Sequence, residues 1–474
     1  MATAEHSERS LALLDSPPYR AILTLAMPTV IAMLSQSAVN EIDVVFFSRL
    51  PCPESSNAQA ALLPSLILVW LFGGSLSAIS VGTQAVTARR FAERDYKAAG
   101  AVLTNAAAFC IIAGLVTSLV GVFTIKGLLG TMIKVPEVRE IAVDYSSWRL
   151  FGVISMCMTS AVKSFFDGIG KTWVHLVAAL IMNVFNVLFC WMFIFGNLGA
   201  PRMGAPGAGL SAFISTWIGL AIVLFFASRE RKAYEPAHLG NLSKKITWDL
   251  LKLSLPAAAA TIIMMVGFGM FSRVAGRLDA LESASQVAGK CGVEAVNGAA
   301  TTNIVAILKL TFTACIAFGT ATATLVSQSL GAKRPDDATK FGWASVRLGF
   351  LIFGLIGLAE GILFTPQIVG FITHSPAVYN ATLVPMRIMG LVTPVIAVAL
   401  ILSEALFGAG STKFVALAQL VLIFLVLVPL SWIISIQMGV GLMGMWIAAV
   451  FYSIGAAITM SVKFGRGSWK KIVI

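Results

Sequence analysis

Residues 166–172 read Phe-Asp-Gly-Ile-Gly-Lys-Thr, and residues 406–412 read Leu-Phe-Gly-Ala-Gly-Ser-Thr. Each segment follows one long apolar run and precedes another, so the two occupy equivalent places in the chain. Three more pairs of segments repeat, and all the offsets lie between 228 and 240 residues. These pairs are Leu25–Pro28 with Leu253–Pro256, Trp148–Gly152 with Met386–Gly390, and Met203–Gly204 with Met438–Gly439. The chain is therefore an internal duplication whose repeating unit is almost half of the protein.

The composition excludes a soluble protein. The 474 residues are 58% hydrophobic and only 12% charged, and the mean hydropathy is +0.87. Soluble domains carry about 25% charged residues. Because no long polar segment remains for a soluble module, an attached ATPase, a catalytic ectodomain and a DNA-binding domain are disfavoured. The net charge of +12 therefore indicates membrane orientation rather than nucleic acid as a partner.

The apolar runs predict twelve transmembrane helices, since roughly 20 apolar residues cross a bilayer. The predicted bounds, numbered helix 1 to helix 12, are about 21–48, 62–89, 99–125, 138–167, 172–196, 207–228, 246–275, 297–329, 341–363, 378–407, 413–435 and 440–463. Six crossings return the chain to its starting side, so the two repeats run in parallel. The predicted fold is an all-α integral membrane protein with two parallel six-helix repeats around a central cavity, which is a transporter layout.

Basic residues set the predicted orientation. They concentrate on the side of the membrane that holds both termini, in the segments 89–97, 229–245, 333–340 and 463–471. By the positive-inside rule this side is the cytoplasm, and we expect a multi-pass protein of the inner (plasma) membrane. The predicted domains are a cytoplasmic N-terminal segment 1–20, an N-lobe 21–228, a cytoplasmic linker 229–245, a C-lobe 246–463 and a cytoplasmic tail 464–474.

Helix 1 carries a polar stripe. Gln36, Asn40 and Asp43 are spaced by four and three residues, so they share one helical face. An ionised carboxylate in hydrocarbon is costly, and Asp43 should therefore face the bundle interior or a water-filled cavity. Such a group can exchange H+ for a cationic substrate. The alternative is a static salt bridge or a position in the outer headgroup layer.

Helix 5 carries a matching face with Asn183, Asn186 and Cys190. The two amides are positioned to supply hydrogen bonds to the region around Asp43. Hydrogen bonding between helices without a transport role is the alternative reading, because it is common in membrane bundles. Cys190 is interpreted as a small packing group rather than a reactive thiol.

Lys309 lies about twelve residues into helix 8, too deep to reach either interface easily. We predict that it faces the cavity of the C-lobe as a charge switch or a contact for an acidic substrate; the alternative is a permanent ion pair with Glu360 or another buried acid. Met264 begins an apolar group in helix 7 that suits either varied ligands or helix packing. Pro28 and Pro256, which each remove one helical hydrogen bond, are predicted hinges.

The sequence patterns that could indicate an enzyme do not hold up. Residues 168–172 resemble the end of a phosphate-binding loop, but Phe165 stands where its first glycine is required and no strand precedes it. Histidines and cysteines are scattered without metal-ligand spacing. We therefore expect no enzymatic activity, no cofactor and no bound metal.

Together these segments resemble the multidrug and toxic compound extrusion family. The features that carry the resemblance are Pro28 with Asp43 fifteen residues later, Gly-Thr-Gln before Arg89–Arg90, the run 167–171, Asn186 with residues 194–196, the run 204–208, and residues 326–328 with 331–332. The resemblance covers about residues 20–463, and no single piece is decisive.

The resemblance implies export of small amphipathic or cationic compounds in exchange for inward H+ or Na+, by alternating access of two lobes. It places the N-lobe coupling group at Asp43. From the residue positions themselves, we predict Asn40 and Asn186 as further ion-coupling residues and Gln36, Asn183, Lys309 and Met264 as substrate contacts. Two departures, Cys190 and Met264 at positions where family members often carry carboxylates, favour H+ over Na+.

A flippase of a lipid-linked precursor in the same superfamily is the alternative, with Lys309 and Lys163 as its cationic groups. A receptor or channel would not explain two matched halves. The expected partners are a small-molecule substrate and membrane lipids, and we expect a monomer.

Overall fold

The computed structural model describes residues 12–51, 54–133, 136–235, 239–285, 296–373 and 376–472, and its regular structure there is helical. The α-helices are α1 (Pro18–Ser48), α2 (Glu54–Val69), α3 (Ser75–Ser77), α4 (Ile79–Ala92), α5 (Tyr96–Met132), α6 (Pro136–Phe151), α7 (Val153–Gly168), α8 (Trp173–Phe195), α9 (Ala205–Arg229), α10 (Arg231–Tyr234), α11 (Lys244–Ser285), α12 (Val296–Gly331), α13 (Pro335–Leu358), α14 (Thr365–Ile372), α15 (Pro376–Gly408), α16 (Thr412–Val421), α17 (Val428–Trp432) and α18 (Leu442–Gly465). Short 3-10 turns cover Ala12–Asp15, Asn197–Gly199, Leu239–Asn241 and Ser468–Lys471, and π turns cover Trp70–Gly74, Ala359–Leu363, Leu422–Leu427 and Ile433–Gln437.

The predicted twelve-helix membrane fold is confirmed. Within the described ranges, eleven helical stretches are long and apolar enough to cross a membrane, and a bent pair completes twelve. That pair is α6 with α7, which meet at Gly152 at an angle of 43°. Several helices are longer than their apolar cores: α2 begins at Glu54, and α11 continues to Ser285. Hydropathy misses such ends because polar residues can continue a helix that has already left the hydrocarbon.

The repeated segment with which the two halves were matched has the same backbone geometry in both copies. Gly170 has a φ of +78° and Gly410 a φ of +87°, a left-handed conformation that glycine adopts without strain. Gly168 packs so closely that an added Cβ would lie 3.0 Å from Thr87 Cβ, and at Gly408 it would lie 2.5 Å from the Ala323 carbonyl oxygen. Turn geometry therefore explains the repeated glycine at 170 and 410, and close packing explains the one at 168 and 408.

The chain divides into two compact units. The first unit holds the chain up to Ala258 together with Ser327–Ala338, and the second holds Ala259–Val326 and the chain from Thr339 onward. The change of unit thus falls inside α11 and α12 and not within the predicted linker 229–245. The limits of the two predicted lobes stay predictions.

The linker is fastened to the first unit by Asn105 of α5. Its buried amide nitrogen donates to the carbonyl oxygens of Ala101 at 2.8 Å and Asn241 at 2.9 Å. Its oxygen accepts from the backbone nitrogen of Ser243 at 2.9 Å and from Thr247 Oγ1 at 3.0 Å. All four hydrogen-bonding positions of the amide are therefore used.

Tyr234 adds an apolar anchor to the same linker. Its buried ring packs edge-on against Tyr96 and Phe165. Burial, followed by the nearby Glu230 carboxylate, raises the pKa of Tyr234, so the hydroxyl stays protonated at neutral pH. Gly100 lies directly against the carbonyl of Tyr234, where a Cβ would not fit. The linker is thus an integral part of the first unit rather than a free tether.

Replacing Asn105 with alanine should destabilise this unit, because the Ser243 N–H would lose its buried acceptor. We expect a loss of about 1–3 kcal/mol, the cost of leaving a buried polar group unsatisfied, seen as a lower apparent Tm of the purified protein. Asn197→Ala, which removes one exposed hydrogen bond to the Trp191 carbonyl, is the matched control and should leave the Tm unchanged. Equal Tm values for both variants would show that the amide does not fasten the linker.

Candidate ion and substrate site

Asp43 lies near the end of α1 and is only 7% exposed. The thiol of Cys190 on α8 donates to its Oδ1 at a sulfur–oxygen distance of 3.4 Å. The same sulfur lies 3.9 Å from Oδ1 of Asn186, one turn earlier on α8. The structure therefore brings Asp43 and Asn186 together, and Cys190, interpreted from sequence as mere packing, is the group between them.

Two residues of α6 that the sequence did not place here complete the cluster. Arg149 Nη1 donates to the hydroxyl of Tyr145 at 2.9 Å, and both side chains interact electrostatically with Asp43. Tyr145 also packs edge-on against Phe47 of α1, with ring centroids 6.4 Å apart. From the sequence alone, Arg149 and Arg387 occupy equivalent outer positions in the repeated segments, which predicts instead that they cap carbonyls or meet lipid headgroups. The i, i+4 spacing of tyrosine and arginine was the one available signal.

Glycines allow the helices around this cluster to approach closely. An added Cβ on Gly209 of α9 would lie 2.5 Å from the carbonyl oxygen of Tyr145, and one on Gly207 would lie 2.8 Å from that of Phe193. The same helix supplies Ser211, whose hydroxyl interacts with the Cys190 thiol. The position of Asp43 therefore depends on close packing of α6, α8 and α9.

The remaining polar residues of the predicted stripes are only partly brought together. Asn183 Nδ2 donates to Ser35 Oγ at 2.9 Å, so α8 does hydrogen-bond to α1 at this level. Gln36, next to Ser35, is half-buried. The side chain of Asn40 lies outside what the structure describes. The substrate roles of Gln36 and Asn183 stay predictions.

The second unit holds Lys309 and Met264, and both side chains are exposed within it. Glu360 of the same unit is hydrogen-bonded to α12 through one carboxylate oxygen. Its Oε1 accepts from Thr311 Oγ1 at 2.6 Å, and its Oε2 has no hydrogen-bond partner among the described residues. Thr311 lies two residues from Lys309 and so points away from it around α12. Both readings of Lys309, a group that faces a cavity and a permanent ion pair with Glu360 or another buried acid, stay predictions.

Two described neighbours of Asp43 carry oxygen atoms that bear on cation binding. Asn186 offers one amide oxygen, and Tyr145 holds its hydroxyl toward Arg149. Across the described ranges, no group of three or more histidine, cysteine, aspartate or glutamate side chains could hold a metal ion.

Comparison with known proteins identifies relatives of the whole chain. The family model described as MatE matches residues 28–192 and 283–433. Two similar proteins are both named "Probable multidrug resistance protein NorM". The one from Thermotoga maritima is 21% identical over 464 residues, covering 95% of this chain and 93% of the relative. The one from Caulobacter vibrioides is 25% identical over 460 residues, covering 95% and 92%.

Solved structures share the fold. A multidrug resistance MATE family transporter of the MOP superfamily in an outward-facing conformation superposes with a TM-score of 0.86 at 21% identity, covering 98% of each chain. A MOP superfamily transporter from Pyrococcus furiosus, described as having a binding pocket of reverse polarity, gives a TM-score of 0.86 at 20% identity. It covers 98% of this chain and 99% of that one.

Replacing Gly209 with alanine should disturb the Asp43 cluster, because the new Cβ would push α9 away from the Tyr145 carbonyl. We expect a destabilisation of about 1–3 kcal/mol, as for other overpacked sites, together with reduced transport. Gly269→Ala on α11, where nothing lies within 4 Å of an added Cβ, is the control and should retain full stability. Wild-type Tm and transport for Gly209→Ala would contradict this account of the packing.

Proposed function

Because the chain belongs to the MatE family, we propose that it is a secondary active antiporter of the inner membrane with both termini in the cytoplasm. It exports small amphipathic or cationic compounds in exchange for an inward ion, by alternating access of two lobes. The names of its relatives, which are multidrug resistance proteins, support export of varied compounds.

The observation that carries the proposal is the buried carboxylate of Asp43 on a membrane-spanning helix. Burial in hydrocarbon penalises its charged form, while the guanidinium of Arg149 favours that form. The thiol of Cys190 donates to the carboxylate at 3.4 Å, which also favours the charged form. A carboxylate between such opposed influences can change its protonation state with modest changes in its surroundings.

Coupling follows from the difference between the two states of this carboxylate. When Asp43 is ionised, it attracts a cationic substrate. A proton that binds one carboxylate oxygen removes the charge and releases the substrate, so the two occupants exclude each other. Export results if the proton binds from the outside while the site is open there, and the protonated protein then returns to the conformation open to the cytoplasm, where the proton leaves and substrate binds again. Pro28, fifteen residues before Asp43 inside α1, provides a place for that helix to bend, and Pro256 is its equivalent in α11.

H+ is the proposed coupling ion. Na+ is a hard cation that prefers several oxygen ligands, by analogy with other hard cations. The site offers a thiol at Cys190 where a second carboxylate would help, and the nearest further oxygen on α8 belongs to Asn186. A proton needs only one carboxylate.

The alternative function, a flippase of a lipid-linked precursor, was based on Lys163 and Lys309, and the contacts of Lys163 do not favour it. Lys163 lies 3.7 Å from the carboxylate of Asp167, one turn away on α7. Its charge is therefore balanced within its own helix, and Lys309 alone does not form a site for a diphosphate.

Asp43→Asn should abolish gradient-driven export while leaving expression and folding normal, because the amide has the shape of the protonated acid but cannot release a proton. The measurement is export of a fluorescent cation from vesicles under an imposed pH gradient, across a range of pH. Asp249→Asn, which changes a partly exposed carboxylate paired with Lys252, should export like the wild type. Wild-type rates with an unchanged pH profile in Asp43→Asn would reject the mechanism and direct attention to Glu41 or Lys309.

Lys309→Met should change the substrate range or the pH optimum of transport, since it removes a positive charge within the membrane span while preserving the apolar stem. Export of cationic, neutral and anionic fluorescent compounds would be compared at several pH values. Lys340→Met, at an exposed position at the end of the basic segment 333–340, is the control. If Lys309→Met matched the wild type for every compound and pH, Lys309 would have a structural role.

A further inference from the structure

Three ionisable side chains of the first unit, here named the Asp167 cluster, meet near the end of α7. Lys163 Nζ lies 3.7 Å from Asp167 Oδ2, one turn further along α7. His175, near the beginning of α8, interacts electrostatically with Lys163, and its Nδ1 has no hydrogen-bond partner among the described residues. Asp167 and His175 are buried, whereas the Lys163 side chain is 21% exposed. Ionisable groups in membrane-spanning segments are costly and usually mark a function.

The second repeat shows that the fold does not require these charges. At an offset of 240 residues, which is the offset of the repeated turn, the corresponding residues are Ser403, Phe407 and Val415. All three are buried, and the Ser403 hydroxyl donates within its own helix to the Ala399 carbonyl at 2.7 Å. The second unit thus fills the same position in the fold with uncharged side chains, so packing alone does not account for the Asp167 cluster.

Two opposed influences act on the Asp167 carboxylate. Burial disfavours its ionised form, and the Lys163 ammonium favours that form. The imidazole of His175 supplies no negative charge. Charged side chains of the other segments packed against this end of the unit interact with other groups: Arg89 of α4 with Glu93, Lys97 of α5 with Glu235, Arg149 of α6 with Tyr145, Arg229 of α9 with the ring of Phe225, and Arg334 after α12 with Asp15. Among the described residues, the Lys163 ammonium therefore governs the charge of Asp167.

The end of α7 lies level with the linker between the two repeats. Phe165 packs edge-on against Tyr234 of the linker, with ring centroids 5.4 Å apart, and Lys171 pairs with Glu230. Both of these linker residues lie outside the apolar spans. The Asp167 cluster is therefore close to water, on the side that the proposed orientation makes cytoplasmic.

We propose that Asp167 is a second proton-binding group, which exchanges a proton with the cytoplasm while Lys163 serves as its counter-charge. The proton binds one carboxylate oxygen, and the Lys163 ammonium, left without its counter-charge, turns toward water through its exposed side. Loss of the proton restores the pair. This inference deepens the proposed function and rests on it in one respect, since the proton that Asp43 takes from outside leaves on this side.

Infrared difference spectroscopy tests the proposal, because a protonated carboxyl group has a carbonyl band distinct from the bands of a carboxylate. The full chain is reconstituted in phosphatidylcholine vesicles and measured at about pH 5 and about pH 8, on either side of the neutral range in which an exchanging group titrates. We expect a carboxyl band at the lower pH that is lost in Asp167→Asn and retained in Asp43→Asn. Glu93→Gln, which changes an exposed carboxylate paired with Arg90, is the control and should retain this band.

Lys163→Met provides a second readout that keeps the carboxyl group itself. Without the ammonium, the buried group should stay protonated at both pH values, so its band should disappear from the difference spectrum. A difference spectrum that neither Asp167→Asn nor Lys163→Met alters would indicate a permanent ion pair and overturn the proposal. Loss of the Asp43 band alone, with the Asp167 band intact, would reject proton binding at Asp43 and still support proton binding at Asp167.

Discussion

Burial of the Asp43 carboxylate within a membrane-spanning bundle is the constraint on which the first unit depends. Hydrocarbon supplies no water to solvate a polar group, so the protein must provide every partner. Here the partners come from neighbouring helices: the Cys190 thiol from α8, and Tyr145 with Arg149 from α6. Close packing at Gly209 sets the distance between α9 and α6. Under the proposed mechanism, a change in any of these contacts alters the balance between a proton and a cation at this carboxylate.

The first unit also incorporates segments that belong to other parts of the sequence. Ser327–Ala338, from the second repeat, docks on it through hydrogen bonds of 2.8 Å from Ser327 Oγ to the Ala85 carbonyl and from Gln328 Nε2 to the Gly168 carbonyl. The carbonyl of Gly168 thus belongs to the same repeated turn that reveals the duplication. Together with the linker held by Asn105, these contacts tie the ends of several helices of the first unit together.

The sequence was sufficient to predict the spans, the duplication and the neighbourhood of Asp43 and Asn186, because hydropathy and helical spacing act within one helix. The sequence was insufficient for Arg149, which it predicts to cap carbonyls or meet lipid headgroups, because spacing along α6 does not tell which helices meet the polar face of that helix. The clamp of Asn105 on the linker was missed for the same reason. The π turns were missed because they depend on tertiary packing and leave no mark in local composition.

The central claim is that protonation of Asp43 drives export. The most direct test measures initial rates of export of a fluorescent cation from vesicles containing the purified protein, first under a pH gradient without Na+, and then under a Na+ gradient at equal pH on both sides. The account predicts export under the pH gradient alone and none above background under the Na+ gradient alone. Export that requires the Na+ gradient and ignores the pH gradient would contradict it.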